Sequence, residues 1–370
     1  MQNSGDSTAE SQKVLSLLAA FCLFLSALEY LIPKPLPFMR IGLANLPILL
    51  ALDFKFVFFA QLVLVKIIGQ AILGGTLFSY IFLFSLSGSI SSALLMFVMR
   101  HIFSKRLISF AGIGIAGAFA SSIAQLILSY FLILGPLTIY IAPVIMTSSV
   151  ITGAAIGIFC NVFCMKSMWY KKISGLVLIP AQNHFSTTEC KKQNSIAVIA
   201  LFIAGIIFSV CLLASKSLSV KISFFIVFWI AAALRKKAGN PIFTIVFFLS
   251  IALINLYPPS GKVLFEFLGF RITSGALNNA LQKAATIEAL LMISKTTISR
   301  SLELPFNFGI LLKDAFCILD EIRLYKKTIR AKTFMCDIDN LMMRLSAEPI
   351  LQEERQAEQE EQEAGAEEHV

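Results

Sequence analysis

Glu29 and Lys66 stand inside long apolar runs, where neither charge is tolerated alone. A charged side chain at the centre of an inserted helix costs about 2.5–3.5 kcal/mol, so it needs an opposite charge or a wet cavity. Further polar groups recur at a similar depth. Gln70 follows Lys66 by one helical turn on the same face. Arg40 lies in the first connection and Asn45 just beyond it, Gln125 falls in the outer half of the fifth apolar run, and Thr147, Ser148 and Ser149 fall in the sixth. Two readings fit. In one, a Glu29–Lys66 ion pair and interhelical hydrogen bonds only hold a bundle together. In the other, Glu29, Arg40, Asn45, Lys66, Gln70, Gln125, Thr147 and Ser148 line a substrate pocket open to the exterior. The second is preferred because the groups come from five separate runs.

Other chemistries lack their residues. There is no GxxxxGK[ST] phosphate loop: Gly261–Lys262 has neither the upstream glycine nor the following hydroxyl residue. The chain is therefore not expected to hydrolyse ATP by itself. No DDxxD pair can hold magnesium diphosphate, Asp337, Asp339 and Asn340 being the nearest approach, and neither GxSxG nor HExxH occurs. Cys160 and Cys164 have helical i, i+4 spacing, but His101, His184 and His369 are far from them in sequence. Like Cys22 and Cys211, they lie inside apolar runs and are better explained as small buried hydrophobes than as metal ligands. No catalytic residue, metal or covalently bound cofactor is expected, and the chain is not expected to be an enzyme.

The elements that must position these groups are membrane helices. The 370 residues are 57% hydrophobic and 14% charged, with a mean hydropathy of +0.80. Soluble domains carry about 25% charged residues. A helix needs roughly 20 apolar residues to cross ~30 Å of hydrocarbon with every backbone group bonded internally. The first half predicts spans at about 14–33, 41–52, 56–73, 80–99, 108–134 and 140–165. The second of these is short and bounded by Pro37 and Asp53. A polar stretch at 167–194 separates this bundle from apolar runs at about 196–214, 222–234, 242–257 and 276–298. The last run carries Lys283, Glu288 and Lys295, which suits a lipid-facing helix poorly.

Charge sets the expected orientation. Arg100, His101, Lys105 and Arg106 lie between spans four and five, Lys171, Lys172, Lys191 and Lys192 follow span six, and RKKAGN fills positions 235–240. Basic connections belong to the cytoplasm. Both termini are then expected inside, on a multi-pass protein of the cell (inner) membrane. The net charge of +9 excludes little: the tail from Gln352 to Val370 holds eight acids and one base, and the rest of the chain carries 30 bases and 14 acids. In so apolar a chain that excess marks cytoplasmic loops rather than nucleic-acid binding. Residues 299–350 predict cytoplasmic amphipathic helices, with apolar residues such as Leu319 and Ile322 on one stripe. Residues 351–370 predict a disordered acidic tail.

The stretch from Leu28 to Leu52 resembles the signature of a Gx-type transporter family, also labelled heptaprenyl diphosphate synthase component I. Its pattern is an acidic residue closing helix one, a proline-bearing loop, then Gly-Leu-Ala-Asn, matched by Glu29, Pro33, Pro35, Pro37, Gly42, Leu43, Ala44 and Asn45. Gly69, Gly74, Gly75, Gly88, Gly117, Gln125, Pro143, Thr152, Gly153 and Gly157 extend the match over about 14–166, with Lys66 where the family is expected to carry arginine. That family is similar to the substrate-binding S components of energy-coupling-factor (ECF) transporters, six-helix proteins that take a vitamin or cofactor precursor from outside. The resemblance implies a separate T component and two ATPases that use ATP. The stretch Phe265–Thr297, ending in paired threonines, more loosely resembles a T component. That likeness implies coupling to ATPase subunits through Leu319, Ile322, Arg323 and Arg330.

The resulting expectation is an all-α integral membrane protein of about ten transmembrane helices. It comprises a short N-terminal segment (1–13), a six-helix S-like bundle (14–166), a cytoplasmic linker (167–194), a four-helix T-like module (195–298), coupling helices and the tail. Two other roles stay open: a membrane subunit of isoprenoid diphosphate metabolism, and a scaffold for membrane partners.

Overall fold

The structure, a computed structural model, describes residues 3–31, 42–103, 108–176, 195–235, 237, 241–254, 256, 262–267, 270–299, 306–324 and 335–345. Its first helix, α1 (Asn3–Leu31), begins well ahead of the expected span. From Val14 to Ser26 its side chains are buried on every side, so α1 is the axis of the first bundle rather than a lipid-facing rod. The second expected span is no span. A 3-10 turn (Leu43–Asn45), a five-residue helix α2 (Leu46–Leu50) and another 3-10 turn (Ala51–Asp53) make a broken, buried segment. Eleven residues at 1.5 Å each reach only about 16 Å, half of a hydrocarbon core.

Around α1 stand α3 (Phe56–Gly74), α4 (Tyr80–Ile102), α5 (Phe110–Ser129) and α6 (Thr138–Lys166). Between α5 and α6 a π turn, Tyr130–Leu134, and a 3-10 turn, Gly135–Leu137, reverse the chain without breaking the helical run. The antiparallel α5–α6 crossing is backbone against backbone. A Cβ on Gly114 would come 2.6 Å from the Gly153 carbonyl oxygen, and one on Gly157 would come 2.5 Å from Ala111 Cα. Small residues that let helices touch this closely are a common way to associate inside lipid, where no hydrophobic drive separates helix from solvent. Arg100, at the end of α4, forms two 2.9 Å bonds to Asp53 and lies over the ring of Phe110 at the start of α5. This pair ties the end of the broken segment to the end of α4, as expected if both reach the cytoplasmic side.

The second half is built around α11 (Ser274–Thr297), packed by α8 (Ser195–Ala214), α9 (Leu218–Leu234) and α10 (Pro241–Ile254). The charged run that suited lipid poorly is thus the buried one. An antiparallel hairpin, β1 (Val263–Phe267) with β2 (Phe270–Thr273), departs from the all-α expectation. By length and apolarity four helical runs among the described residues suffice to cross a membrane: Phe56–Gly74, Tyr80–Ile102, Phe110–Lys166 and Ile196–Ala214. The 57-residue third run would measure about 85 Å if straight and is instead the α5–α6 hairpin. Other apolar helices among the described residues, including Leu218–Leu234, are shorter.

The halves interlock. α12 (Phe306–Leu324) lies along α1 and touches α3, where Leu312 and Leu23 close over Gly69. After α6 the chain forms α7 (Met168–Leu176) inside the expected linker. Its start is capped by Asp339, on a helix over 335–345: the carboxylate accepts from Ser167 Oγ and from the N–H groups of Met168 (3.0 Å) and Trp169 (3.1 Å). A third contact joins Phe78 N–H to Ser294 Oγ at 3.2 Å, with Gly75 against Lys295. Charge assigns the connection after α3 to the outside and the end of α11 to the inside, yet these touch.

Candidate functional site

The site begins at a turn only glycine makes readily. Gly42 adopts φ 84°, ψ 21°, a left-handed conformation that L side chains reach at about 1–2 kcal/mol. That turn points the N–H groups of Gly42 and Leu43 at α1, where Glu29 Oε2 accepts both, at 3.2 and 3.1 Å. It also brings Asn45 over α3, so that Lys66 Nζ donates to Asn45 Oδ1. Glu29 and Lys66 are thus each bonded to the turn that lies between them. Both are buried, at 6% and 3% exposure.

These groups form one end of a cavity enclosing about 620 Å³ of atom-free space, its open mouth included. Gln70, one turn beyond Lys66, extends that wall. The opposite wall is α5, where Gln125 Nε2 donates to Ser121 Oγ at 3.3 Å and Ser122 is also buried. Gln125 presses on α4 at Gly88, where a Cβ would stand 2.6 Å from its Nε2. Ser149, Thr152 and Gly153 of α6 complete the lining, with apolar contributions from Leu49, Met96 and Ile156. The cavity is walled by amides and hydroxyls, with one ammonium and one carboxylate, inside an apolar bundle. Such a lining binds a small polar solute through many directional hydrogen bonds.

Of the residues expected to bind substrate, Glu29, Asn45, Lys66, Gln70 and Gln125 line this cavity. Arg40 lies outside the described residues. Thr147 and Ser148 are not in the lining. Thr147 is exposed and donates to the Pro143 and Val144 carbonyls of its own helix, and Ser148 donates to Ile145 O. Ser149 and Thr152 take their place, together with Ser89, Ser121 and Ser122. Ser121 and Ser122 precede Gln125 by one turn, a spacing from which they were findable.

The residues expected to couple ATPases are placed differently. Leu319 and Ile322 are wholly buried in the core that α12 makes with α1. The apolar stripe meant for a partner's groove fills a groove of the chain itself. Arg323 is half-buried and bonds Asp320 at 3.2 Å, and Arg330 lies outside the described residues. The described residues contain no cluster of three or more metal-ligating side chains, and Cys22, Cys160, Cys164 and Cys211 are free thiols.

Neutralising Glu29 should be costly in a defined way. Glu29→Gln keeps the shape but weakens two hydrogen bonds to a charged acceptor, each worth about 1.5–3 kcal/mol. Thermal unfolding in detergent should show a lowered midpoint, and Gly42→Ala, which strains the same turn, should add little to it. Fully additive losses would mean the carboxylate does not hold the turn.

Residues 18–163 match the family model described as Heptaprenyl diphosphate synthase component I, in agreement with the resemblance carried by the Leu28–Leu52 signature. Residues 198–300 match a model described as Domain of unknown function (DUF8519), which takes in α8 to α11. No curated protein and no solved structure matches the chain.

Proposed function

We propose, from a first half that matches a membrane family similar to ECF S components, that this chain is the membrane subunit of an uptake transporter. Its cavity binds a small polar vitamin or cofactor precursor from outside, and ATPase subunits in trans drive release on the other side. The observation that carries this reading is the convergence of Glu29, Asn45, Lys66, Gln70, Gln125 and Thr152, from five elements of an apolar bundle, on one cavity. Polar groups are expensive in a membrane, and a bundle that needed only rigidity would not gather them around open space. In this reading the second half serves as the T-like module, fused to its substrate-binding partner. The interlocking of α12 with α1 and of Asp339 with α7 supports a permanent pairing of the two halves. Because α12 is covered, ATPases would contact the outer side of the cytoplasmic helices, where Arg323 lies, rather than Leu319 and Ile322.

The description of the matched family favours a second reading, a membrane component of prenyl diphosphate synthesis. The polar lining argues against a site for a prenyl chain, and the sequence has no paired aspartate motif for magnesium diphosphate. Mass spectrometry of small molecules and proteins retained on purification separates the two. A polar solute and ATP-binding subunits are expected, and Lys66→Met should reduce solute retention at least tenfold, the equivalent of about 1.4 kcal/mol. Recovery of a prenyl synthase with no polar solute would replace the transporter by the second reading.

A further inference from the structure

Glu288 stands near the middle of α11 and is 1% exposed. Its Oε2 is fully enclosed and has no hydrogen-bond partner among the described residues. The surroundings are apolar on both flanking helices. One turn before it, Ala284 packs with Phe248 and Ile251 of α10; one turn after it, Met292 packs with Phe225, Phe228, Trp229 and Ala232 of α9. Ala232 meets Met292, and Arg235 reaches the Thr296 carbonyl. The two helices therefore run parallel in register, which sets Phe228 level with Glu288.

The ionisable groups on the surrounding elements are few. On α11 itself Lys295 lies two turns further along the same face, and Lys283 is exposed. From α4, Tyr80 packs against the clusters that hold Ala284, Ile287 and Leu290. α9 offers Lys221 near its start, the exposed Lys216 precedes it, and Arg235, just past its end, is engaged at Thr296. α8 has only the exposed Cys211, and α10 has none. An ionised carboxylate among rings and methyl groups, with one oxygen lacking any donor, is strongly disfavoured; the same group carrying a proton is not.

We infer that Glu288 is a proton-binding site: the packed state holds its proton, and release of that proton to water loosens α9 and α10 from α11. The neutral acid is compatible with the ring-lined wall, whereas the carboxylate must draw water or a cation between the helices. α11 ends on contacts with the first half, through Ser294 to Phe78 and Lys295 to Gly75, so its packing bears on the junction of the two halves. This site is separate from the solute cavity and does not depend on the solute's identity.

Infrared difference spectroscopy of the full chain in lipid nanodiscs, titrated from neutral to alkaline pH, tests the assignment. At neutral pH the wild type should show a carboxylic-acid carbonyl band that Glu288→Gln lacks. That band should fade at alkaline pH in step with a fall in melting temperature. The variant, a neutral isostere, should lose this alkaline fall. Absence of the band from wild type, or an identical alkaline fall in the variant, overturns the inference. Should Glu288→Gln not fold, the carbodiimide DCCD, which modifies protonated carboxyls, decides on the wild type. An adduct at Glu288 at neutral pH that is lost at alkaline pH supports the site, and an adduct indifferent to pH, or none, removes it.

Discussion

Leu319→Asp and Ile322→Asp should each unfold the protein or drive it from the membrane fraction, not merely release a partner. Both side chains are wholly buried between α12 and α1. Truncation of such a residue to alanine alone removes about 2–5 kcal/mol. An aspartate adds an unpaired charge in the same place, so the sum exceeds the roughly 4–5 kcal/mol that marks an exceptional substitution. Fluorescence-detected gel filtration with a temperature ramp reads the outcome directly. Arg323→Glu, on the more open side of the same helix, is the contrast. It should keep the melting temperature within the scatter of surface substitutions and lower only the recovery of ATPase subunits. If the two aspartate variants instead melt like wild type, α12 does not rest on α1 in the folded protein.

Equally large effects are expected at the α5–α6 crossing. At Gly153 a Cβ would stand 2.7 Å from the Gly114 carbonyl oxygen and 2.9 Å from Ile115 Cα; at Gly157 the obstacle is the backbone of Phe110 and Ala111 at 2.5 Å. Backbone cannot rotate aside as a side-chain end can. Gly153→Leu and Gly157→Leu must push the helices apart, and with them the wall that carries Ser149 and Thr152. Loss of solute retention together with a destabilisation above about 4 kcal/mol is expected. Gly112→Ala supplies the comparison on the facing helix, α5. Its Cβ would meet only Ile108 Cγ2, at 3.2 Å, and alanine favours the helix by up to about 1 kcal/mol. That variant should melt at or slightly above wild type. Retained solute binding in Gly157→Leu would show that the crossing does not shape the cavity.

Much of this molecule was legible in its residues because a bilayer leaves few choices. Long apolar runs became helices close to where they were expected: α3, α4, α8 and α9 end within a few residues of the expected bounds. The cavity wall was half legible for the same reason. Glu29, Lys66, Gln70 and Gln125 are isolated polar groups in apolar helices, and burial inward is the only tolerable place for them. Thr147 and Ser148 carried no such signal. A hydroxyl in a helix satisfies itself on its own carbonyls one turn back, as both do, so its polarity does not decide which way the helix turns.

Sequence by itself determined the class of the protein, an apolar helical membrane chain, since that follows from the cost of polar groups in hydrocarbon. Tertiary structure alone decided what covers what. The stripe on α12 is visible as periodicity, but its partner is not. α1 is apolar around its whole circumference from Val14 to Leu25 and so advertises no particular face. The broken Leu43–Asp53 segment shows the same division of labour. Its apolar composition suits a span as well as a buried wedge, and only the left-handed turn at Gly42, held by Glu29, folds it back against α1 and α6. Hydrophobic burial is non-directional and tells each segment to leave water; which neighbour it finds is set by close packing at glycines and by a few directional bonds.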